Sequence, residues 1–193
     1  MSERIDWSEV RDKNYEMRLF SWQHWFRSFE GLYESALKLE PAINDTWCNY
    51  SEHAKDKNIR LEPDYFQGVY FMLMAYGVEN LFKGAIVKAK RAELRSDYLQ
   101  INKLPACLKN HDLLKLAKDS GYILKKNEEG YLRRLTRNST WAGRYPVPTN
   151  STEFRFEHRF SGGQKYSVAW FSPNDVSNIK ALIDNIRAFI QTV

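Results

Sequence analysis

The stretch that decides the fold is YFQGVYFMLMAYGVENLFKGAIV, residues 65–87, which is apolar on nearly every side. A helix that is apolar all round is buried among other helices, whereas a membrane span needs about 20 strongly apolar residues. Its most apolar part, residues 69–78, is too short for a span. The stretch therefore predicts the central helix of a bundle, running from Asp64 to about Arg95 after Pro63.

Two helices are predicted before the central one. In residues 7–39 the apolar positions recur at steps of three and four, which predicts a long amphipathic helix. Pro41 is expected to end it. Residues 43–56, with Trp47 and Tyr50, predict a second, short helix.

Two further helices are predicted after a loop over residues 96–110. Asp112 can cap a short helix that stops at Gly121, because Asp favours N-caps and Gly favours C-caps. Another helix is predicted from about Asn127 to Trp141, before a segment with two prolines.

The C-terminal part changes character. Apolar and charged residues alternate over 154–160, and β-forming residues follow a Gly-Gly pair, which predicts a β-hairpin over residues 153–170. A last amphipathic helix is predicted over 174–191. The expected fold is mainly α: one domain over residues 1–193, with a helical core at about 7–148 plus 174–191 and a small C-terminal β-hairpin appendage.

Composition excludes several classes of protein. The chain has 193 residues, 43% of them hydrophobic, with nine Gly and six Pro, so disorder and collagen-like organisation are excluded. The start lacks the pattern of a signal peptide, which predicts a cytoplasmic protein. Cys48 and Cys107 form neither a disulfide framework nor a zinc motif, and nucleotide-loop, HExxH and GxSxG motifs are absent. Neither a metal nor a cofactor is predicted.

Positive charge is concentrated in one region. Residues 1–82 carry nine basic and 14 acidic side chains, whereas residues 83–144 carry 15 basic and six acidic ones. Such an excess is expected of a surface that meets phosphate, although solvated lysine faces would give the same count. The two interpretations stay open at this point.

Polar residues within apolar helices are candidate functional residues. Glu79, Asn80 and Lys83 lie in the central helix, where Glu79 and Lys83 can pair at a spacing of four. That pair is explained by structure alone or orients an arginine from another helix. His111 is a general base or merely precedes the cap, and Asp112 is a cap first.

Four arginines are candidate phosphate ligands, because a guanidinium donates two parallel hydrogen bonds to phosphate. They are Arg133, Arg134, Arg137 and Arg144. Trp141 and Tyr145 could stack on bases beside them, or pack in the core. A solvated basic face remains the alternative for the arginines.

Three segments together resemble the HEPN superfamily, the nucleotide-binding domains of higher eukaryotes and prokaryotes. They are YGVENLFKGA from Tyr76, HDLLKLA from His111, and Arg137-Asn138, and they fall in the family's order over residues 65–148. The segment WAGRYPVP from Trp141 also looks like a motif of uncharacterised bacterial HEPN-like proteins. The resemblance implies an up-and-down helical bundle, homodimerisation and, in many members, metal-independent RNA cleavage in toxin–antitoxin, antiphage or RNA-processing systems.

The family's catalytic pattern is an arginine, commonly followed by a polar residue, and a histidine after four to six intervening residues in all. Arg137-Asn138 matches the first half, but Arg144 stands where the histidine is expected and His158 is too far away. Arginine cannot replace a base, because its pKa exceeds about 12. Arg144 could still stabilise negative charge on phosphate.

The sequence therefore predicts a HEPN-like protein that binds RNA or a nucleotide, with a non-standard ribonuclease or a non-enzymatic partner-binding module as alternatives. The partners implied are RNA or a nucleotide, a second copy of the chain, and a nucleotidyltransferase-type antitoxin, with no membrane. The predicted catalytic residues are Arg137, Asn138, Arg144 and His111. The predicted RNA- or phosphate-binding residues are Arg133, Arg134, Lys83, Trp141 and Tyr145. Glu79, Asn80 and Asp112 are predicted to support them.

Overall fold

The computed structural model describes residues 7–53, 65–142, 158–161, 164–167 and 171–193. The chain is mainly helical and forms a helical bundle. Its α-helices are α1 (Trp7–Leu19), α2 (Trp22–Leu37), α3 (Glu40–His53), α4 (Tyr65–Ile101), α5 (Leu113–Ser120), α6 (Glu128–Arg137) and α7 (Asp175–Thr192). A 3₁₀ turn, Ala106–Lys109, precedes α5, and a π-helical turn, Asn138–Ala142, follows α6.

Helix α4 is the centre of the bundle, as its apolar sequence predicts. Tyr70, Phe71, Met74 and Phe82 are fully buried along it. Helix α2 packs closely along its N-terminal part because two glycines leave room. A Cβ atom added at Gly77 would lie 3.3 Å from Phe29 Cδ2, and one at Gly84 would lie 3.2 Å from Trp25 Cβ.

The single helix predicted over residues 7–39 is wrong, because the chain breaks between α1 and α2. Leu19 and Phe20 are buried at the break, and Trp25 Nε1 donates to the Leu19 carbonyl at 3.0 Å. Helix α2 is strongly amphipathic and α1 is mostly polar and exposed, but the apolar spacing of α2 begins at Leu19, so spacing alone does not show the break. Pro41 does not end a helix but lies in the first turn of α3, where its missing N–H costs nothing.

Helix α4 is longer than predicted and is irregular near its end. Lys90 has φ −121° and ψ 25°, outside the helical range, and the helix then continues to Ile101. Part of the predicted loop over 96–110 is therefore helical. After Lys90 most side chains are exposed, and Arg95 forms an ion pair with Glu16 of α1. The end of α4 and α1 together form an arm beside the bundle core.

The C-terminal segment contains a short antiparallel pair of strands, β1 (His158–Ser161) and β2 (Gln164–Ser167), with Arg159 opposite Tyr166. The rest of the predicted 153–170 hairpin lies outside the described residues. Helix α7 then packs on the core through Ile179, Ile183 and Ile186. Among the helices of the described ranges, none has the length and apolar character needed to span a membrane.

Candidate functional site

Helix α5 is short, and it is capped by the two residues from which the sequence analysis predicts its ends, Asp112 and Gly121. The Asp112 carboxylate accepts hydrogen bonds from the backbone N–H groups of Leu114 at 2.9 Å and Lys115 at 3.3 Å. Gly121 ends the helix with φ +82°, a conformation that glycine adopts without strain. His111, directly before the cap, is thereby fixed at the start of α5.

His111, Glu79 and Lys83 form a hydrogen-bonded chain between α5 and α4. His111 Nδ1 lies 3.0 Å and 3.1 Å from the two Glu79 carboxylate oxygens. Lys83 Nζ lies 2.6 Å from Glu79 Oε1. The Glu79 and Lys83 side chains are buried, while the His111 side chain is 71% exposed. A buried ion pair on α4 thus holds an exposed imidazole on the surface.

The contact with Glu79 fixes which imidazole nitrogen carries the proton. A carboxylate paired with a lysine only accepts hydrogen bonds, so Nδ1 of His111 must donate. In the neutral imidazole, Nε2 is then the nitrogen with a free lone pair. Among the described residues, Nε2 has no hydrogen-bond partner.

The C-terminal end of α6 is tied to the same place. The backbone N–H of Leu113, in α5, donates to Thr136 Oγ1 at 3.2 Å. The Tyr76 hydroxyl, on α4, donates to the Ser139 carbonyl at 3.2 Å. Arg137 and Asn138 lie between these two contacts. We call this meeting point of Tyr76–Lys83, His111–Leu113 and Thr136–Ser139 the helix junction.

Asn138 is buried at the helix junction and has one polar atom without a partner. Its Nδ2 donates to the Arg134 carbonyl at 2.9 Å, while its Oδ1 is buried and has no hydrogen bond within the described part of the chain. Asn138 also begins the π-helical turn, a feature found frequently at functional sites. A buried acceptor without a hydrogen bond is costly, so Asn138 Oδ1 is a position at which a donor would be favourable.

Two of the predicted phosphate-binding cations are paired with buried carboxylates. Arg134 is buried, and its NH1 and NH2 groups lie 2.7 Å and 2.6 Å from the two oxygens of Asp175. Its guanidinium also lies over the Phe71 ring. Lys83 is equally engaged, by Glu79. Arg134 therefore joins α6 to α7, whereas Lys83 forms its ion pair within α4.

The remaining predicted site residues make local contacts or lie partly exposed on α4 and α6. Arg133 is partly exposed and pairs with Glu129 on the surface of α6 at 2.7 Å. Asn80 turns back to donate to the Tyr76 carbonyl at 2.7 Å. Arg137 is half-buried at the end of α6. Of Trp141 only the backbone is described, and Arg144 and Tyr145 lie outside the described residues.

Sequence reasoning missed two residues that bind the end of α6 and the turn after it to neighbouring helices, Thr136 and Ser139. Both flank the Arg137-Asn138 pair, and hydroxyl side chains beside a candidate site are a usable signal. Ser139 contributes its backbone carbonyl, which no sequence pattern reveals. Thr136 contributes its hydroxyl to a helix that begins 23 residues earlier.

The helix junction contains an imidazole oriented by Glu79, the half-buried Arg137 and the buried amide of Asn138. Such groups bind phosphate and move protons. Among the described residues, no three His, Cys, Asp or Glu side chains are grouped to hold a metal ion. Comparisons with models of known families, with curated proteins and with solved structures give no match to this chain.

Proposed function

We propose that this chain is a HEPN-like protein that binds RNA or a nucleotide, and that the helix junction is its phosphate site. The observation that carries the proposal is the convergence of three segments far apart in sequence. Glu79 on α4, His111 before α5 and Arg137 at the end of α6 are brought to one place by the Glu79–His111 and Leu113–Thr136 hydrogen bonds. These are the segments on which the family resemblance rests.

The charge at the helix junction fits a phosphate ligand. Lys83 and Arg134 are neutralised by buried carboxylates, so the basic excess of residues 83–144 rests on other side chains. Arg137 belongs to the helix junction, and the exposed Lys115 and Lys118 lie on the helix that starts there. Arginine with nearby lysines is the usual composition of a phosphate-binding surface.

The test is binding of a fluorescently labelled single-stranded RNA, followed by anisotropy over a series of salt concentrations. We expect affinity to fall steeply with salt, because each neutralised phosphate releases counterions. Arg137→Ala should weaken binding by about tenfold and lower the salt slope by about one. The matched control is Arg133→Ala, one turn earlier on the same helix, whose guanidinium is held by Glu129.

Two results would contradict the proposal. The first is binding that does not depend on salt. The second is an equal affinity of Arg137→Ala and Arg133→Ala, which would place the ligand away from the helix junction.

A second candidate function is association with a protein partner through the arm formed by α1 and the end of α4. Large apolar side chains are exposed there: Trp7, Tyr15, Met17, Leu99 and Ile101. The charges of the arm are balanced, with three acidic and three basic residues in 7–19 and two of each in 91–101. A neutral, mixed surface suits a second copy of the chain better than a nucleic acid.

Sedimentation of the whole chain tests this association. The wild type should sediment as a dimer, and Leu99→Ser with Met17→Ser should sediment as a monomer that still binds RNA. A wild type that stays monomeric at concentrations of tens of micromolar would exclude the arm as a dimer interface.

A further inference from the structure

We infer that the loop between α5 and α6, residues 121–127, binds the surface of an anionic bilayer by inserting Ile123 into the headgroup layer. Residues 121–127 lie outside the helix junction, so this contact does not depend on the proposed function. No membrane partner is expected from the apolar stretch 69–78, which is too short for a span. A contact at the bilayer surface, however, requires only exposed apolar and basic side chains.

The tip of the loop is apolar and faces solvent. Ile123 is 87% exposed, more than any other large apolar side chain in the described part of the chain. The next in order, Trp7, is 67% exposed. Leu124, directly after Ile123, is 37% exposed. Exposed apolar side chains that are grouped, unlike single ones, mark surfaces that bind a partner or a membrane.

The backbone of the loop turns sharply at both ends. Gly121 has φ +82° and Asn127 has φ +76°, both in the left-handed region. Between them Tyr122 points inward: it is 8% exposed, and its ring lies 5.7 Å from that of Phe82 and 5.4 Å from that of Phe189. Tyr122 therefore anchors the base of the loop in the bundle core, while the next two residues are left outside.

A buried carboxylate holds the loop in this shape. Glu128 is 6% exposed and accepts hydrogen bonds from the Tyr122 hydroxyl at 3.0 Å, the Lys125 backbone N–H at 2.7 Å and Asn185 Nδ2 at 2.9 Å. A buried carboxylate is costly unless such donors surround it. Because the loop is already fixed, little conformational entropy is lost when its tip enters a bilayer.

Lysines flank the apolar tip on both sides. Residues 115–127 carry four lysines and one acidic residue. Lys118 precedes the tip, Lys125 and Lys126 follow it, and all three are exposed. Lys125 Nζ donates to Asn185 Oδ1 at 2.7 Å, a neutral partner that leaves its charge in place. None of the four lysines forms an ion pair with a described residue.

An anionic bilayer matches both halves of this surface. Its headgroups carry the negative charge that the lysines attract, and its acyl boundary accepts the apolar tip. Lysine stems can follow the tip inward while their ammonium groups stay at the level of the lipid phosphates. RNA would meet the lysines but leave Ile123 in water, because unpaired bases are recognised by stacking on aromatic rings and arginine planes. The apolar tip therefore favours lipid over nucleic acid at this loop.

The experiment is flotation of the whole chain with vesicles of phosphatidylcholine, either alone or with about one third phosphatidylserine. We expect binding only to the vesicles that contain phosphatidylserine. Ile123→Ser should lower the partition coefficient about tenfold, because the apolar side chain that enters the bilayer is lost. Ile123→Leu should bind like the wild type. Val193→Ser, which removes an exposed apolar side chain at the end of the chain, is the matched control and should change nothing.

A second pair of variants tests the lysines. Lys126→Gln should lower the partition coefficient about fivefold, because each lysine near an anionic surface contributes about that factor. Its control is Lys38→Gln, at an exposed lysine after α2, which should bind vesicles like the wild type. Urea midpoints of all variants should equal that of the wild type, since the substituted side chains are exposed. The same variants are also tested for RNA binding, which Ile123→Ser should leave unchanged.

Four results would overturn the assignment to lipid. They are a wild type that does not bind phosphatidylserine vesicles, vesicle binding that is equal in Ile123→Ser and the wild type, vesicle binding that is equal in Lys126→Gln and Lys38→Gln, and a loss of RNA affinity in Ile123→Ser as large as its loss of vesicle binding. The last result would make the loop part of an RNA site. Vesicle binding by a wild type that does not bind RNA would instead overturn the proposed function and support the lipid contact.

Discussion

Two arginines three residues apart on α6 differ in burial. Arg134 is buried in a two-point ion pair with Asp175, and Arg137 is half-buried at the helix junction. The sequence shows both only as basic residues on one predicted helix. What separates them is Asp175, 41 residues away, and no local spacing reveals it.

The Arg134–Asp175 pair should dominate the local stability. In Asp175→Asn the buried guanidinium loses its counter-charge, and we expect the free energy of unfolding to fall by about 3 kcal/mol or more. Arg134→Met removes the unpaired charge, so the double variant should be less destabilised than Asp175→Asn alone. Urea unfolding of the single and double variants measures this coupling.

The control for this prediction is Lys180→Ala. Lys180 pairs with Glu40 at 3.2 Å, but its side chain is 39% exposed, so its loss should cost less than about 1 kcal/mol. Additive effects of Arg134→Met and Asp175→Asn would show that the two residues do not depend on each other.

At the scale of an element, two capping residues set both ends of α5. It has only eight residues, and helices this short are not stable alone. The cap by Asp112 and the left-handed Gly121 were both visible in the sequence, and both bounds are confirmed. The same cap holds His111 in place, so the stability of α5 and the geometry of the helix junction depend on one carboxylate.

Asp112→Ala should therefore destabilise the protein by about 1 kcal/mol, because two N–H groups lose their acceptor. Asp112→Asn should lower the free energy of unfolding by only about a few tenths of a kcal/mol, since the Asn side-chain oxygen can accept the same hydrogen bonds. Asp119→Ala, near the other end of α5, is the control and should be neutral or slightly stabilising. Urea midpoints measure all three. An equal loss in Asp112→Ala and Asp112→Asn would show that the cap contributes nothing.

Other elements were predicted less well, for identifiable reasons. The helix predicted from about Asn127 to Trp141 is confirmed in extent, since α6 and the π-helical turn together cover Glu128 to Ala142, but the change to π-helical geometry after Arg137 is not predicted. A π-helical turn has no simple apolar period, so it cannot be read from spacing. Helix α4 continues past the irregular Lys90 to Ile101, and Arg95 in this last part contacts Glu16 of α1, 79 positions earlier in the chain.

For the whole molecule, the central helix was predictable and the arrangement around it was not. The apolar residues 65–87 alone indicate burial on all sides. Which polar groups meet depends on contacts between helices, such as Glu79 with His111 across 32 residues. The His-Asp-Leu segment and the Glu79–Lys83 spacing identified the members of the candidate site, but not their connection.

Two buried tyrosines in different parts of the core make the stability of the folded protein depend on pH in the alkaline range. Burial raises the pKa of Tyr70 above its ordinary value of 10.0, and the nearby Glu40 carboxylate adds to the effect. Burial likewise raises the pKa of Tyr122, whose hydroxyl donates to both oxygens of Glu128 at 3.0 Å. In both cases the folded protein keeps a proton that the unfolded chain releases above about pH 10.

Because the folded state then binds more protons than the unfolded state, stability must fall as the pH rises through 10. The contribution of each tyrosine to the free energy of unfolding is fully present below that pH. Above it, this contribution declines by up to about 1.4 kcal/mol per pH unit. Urea unfolding at pH 8, 10 and 11 measures the slope. Tyr122→Phe should be less stable than the wild type at pH 8, since Glu128 loses a donor, but should decline less steeply at high pH. Parallel curves for the two proteins would assign the alkaline loss to other groups.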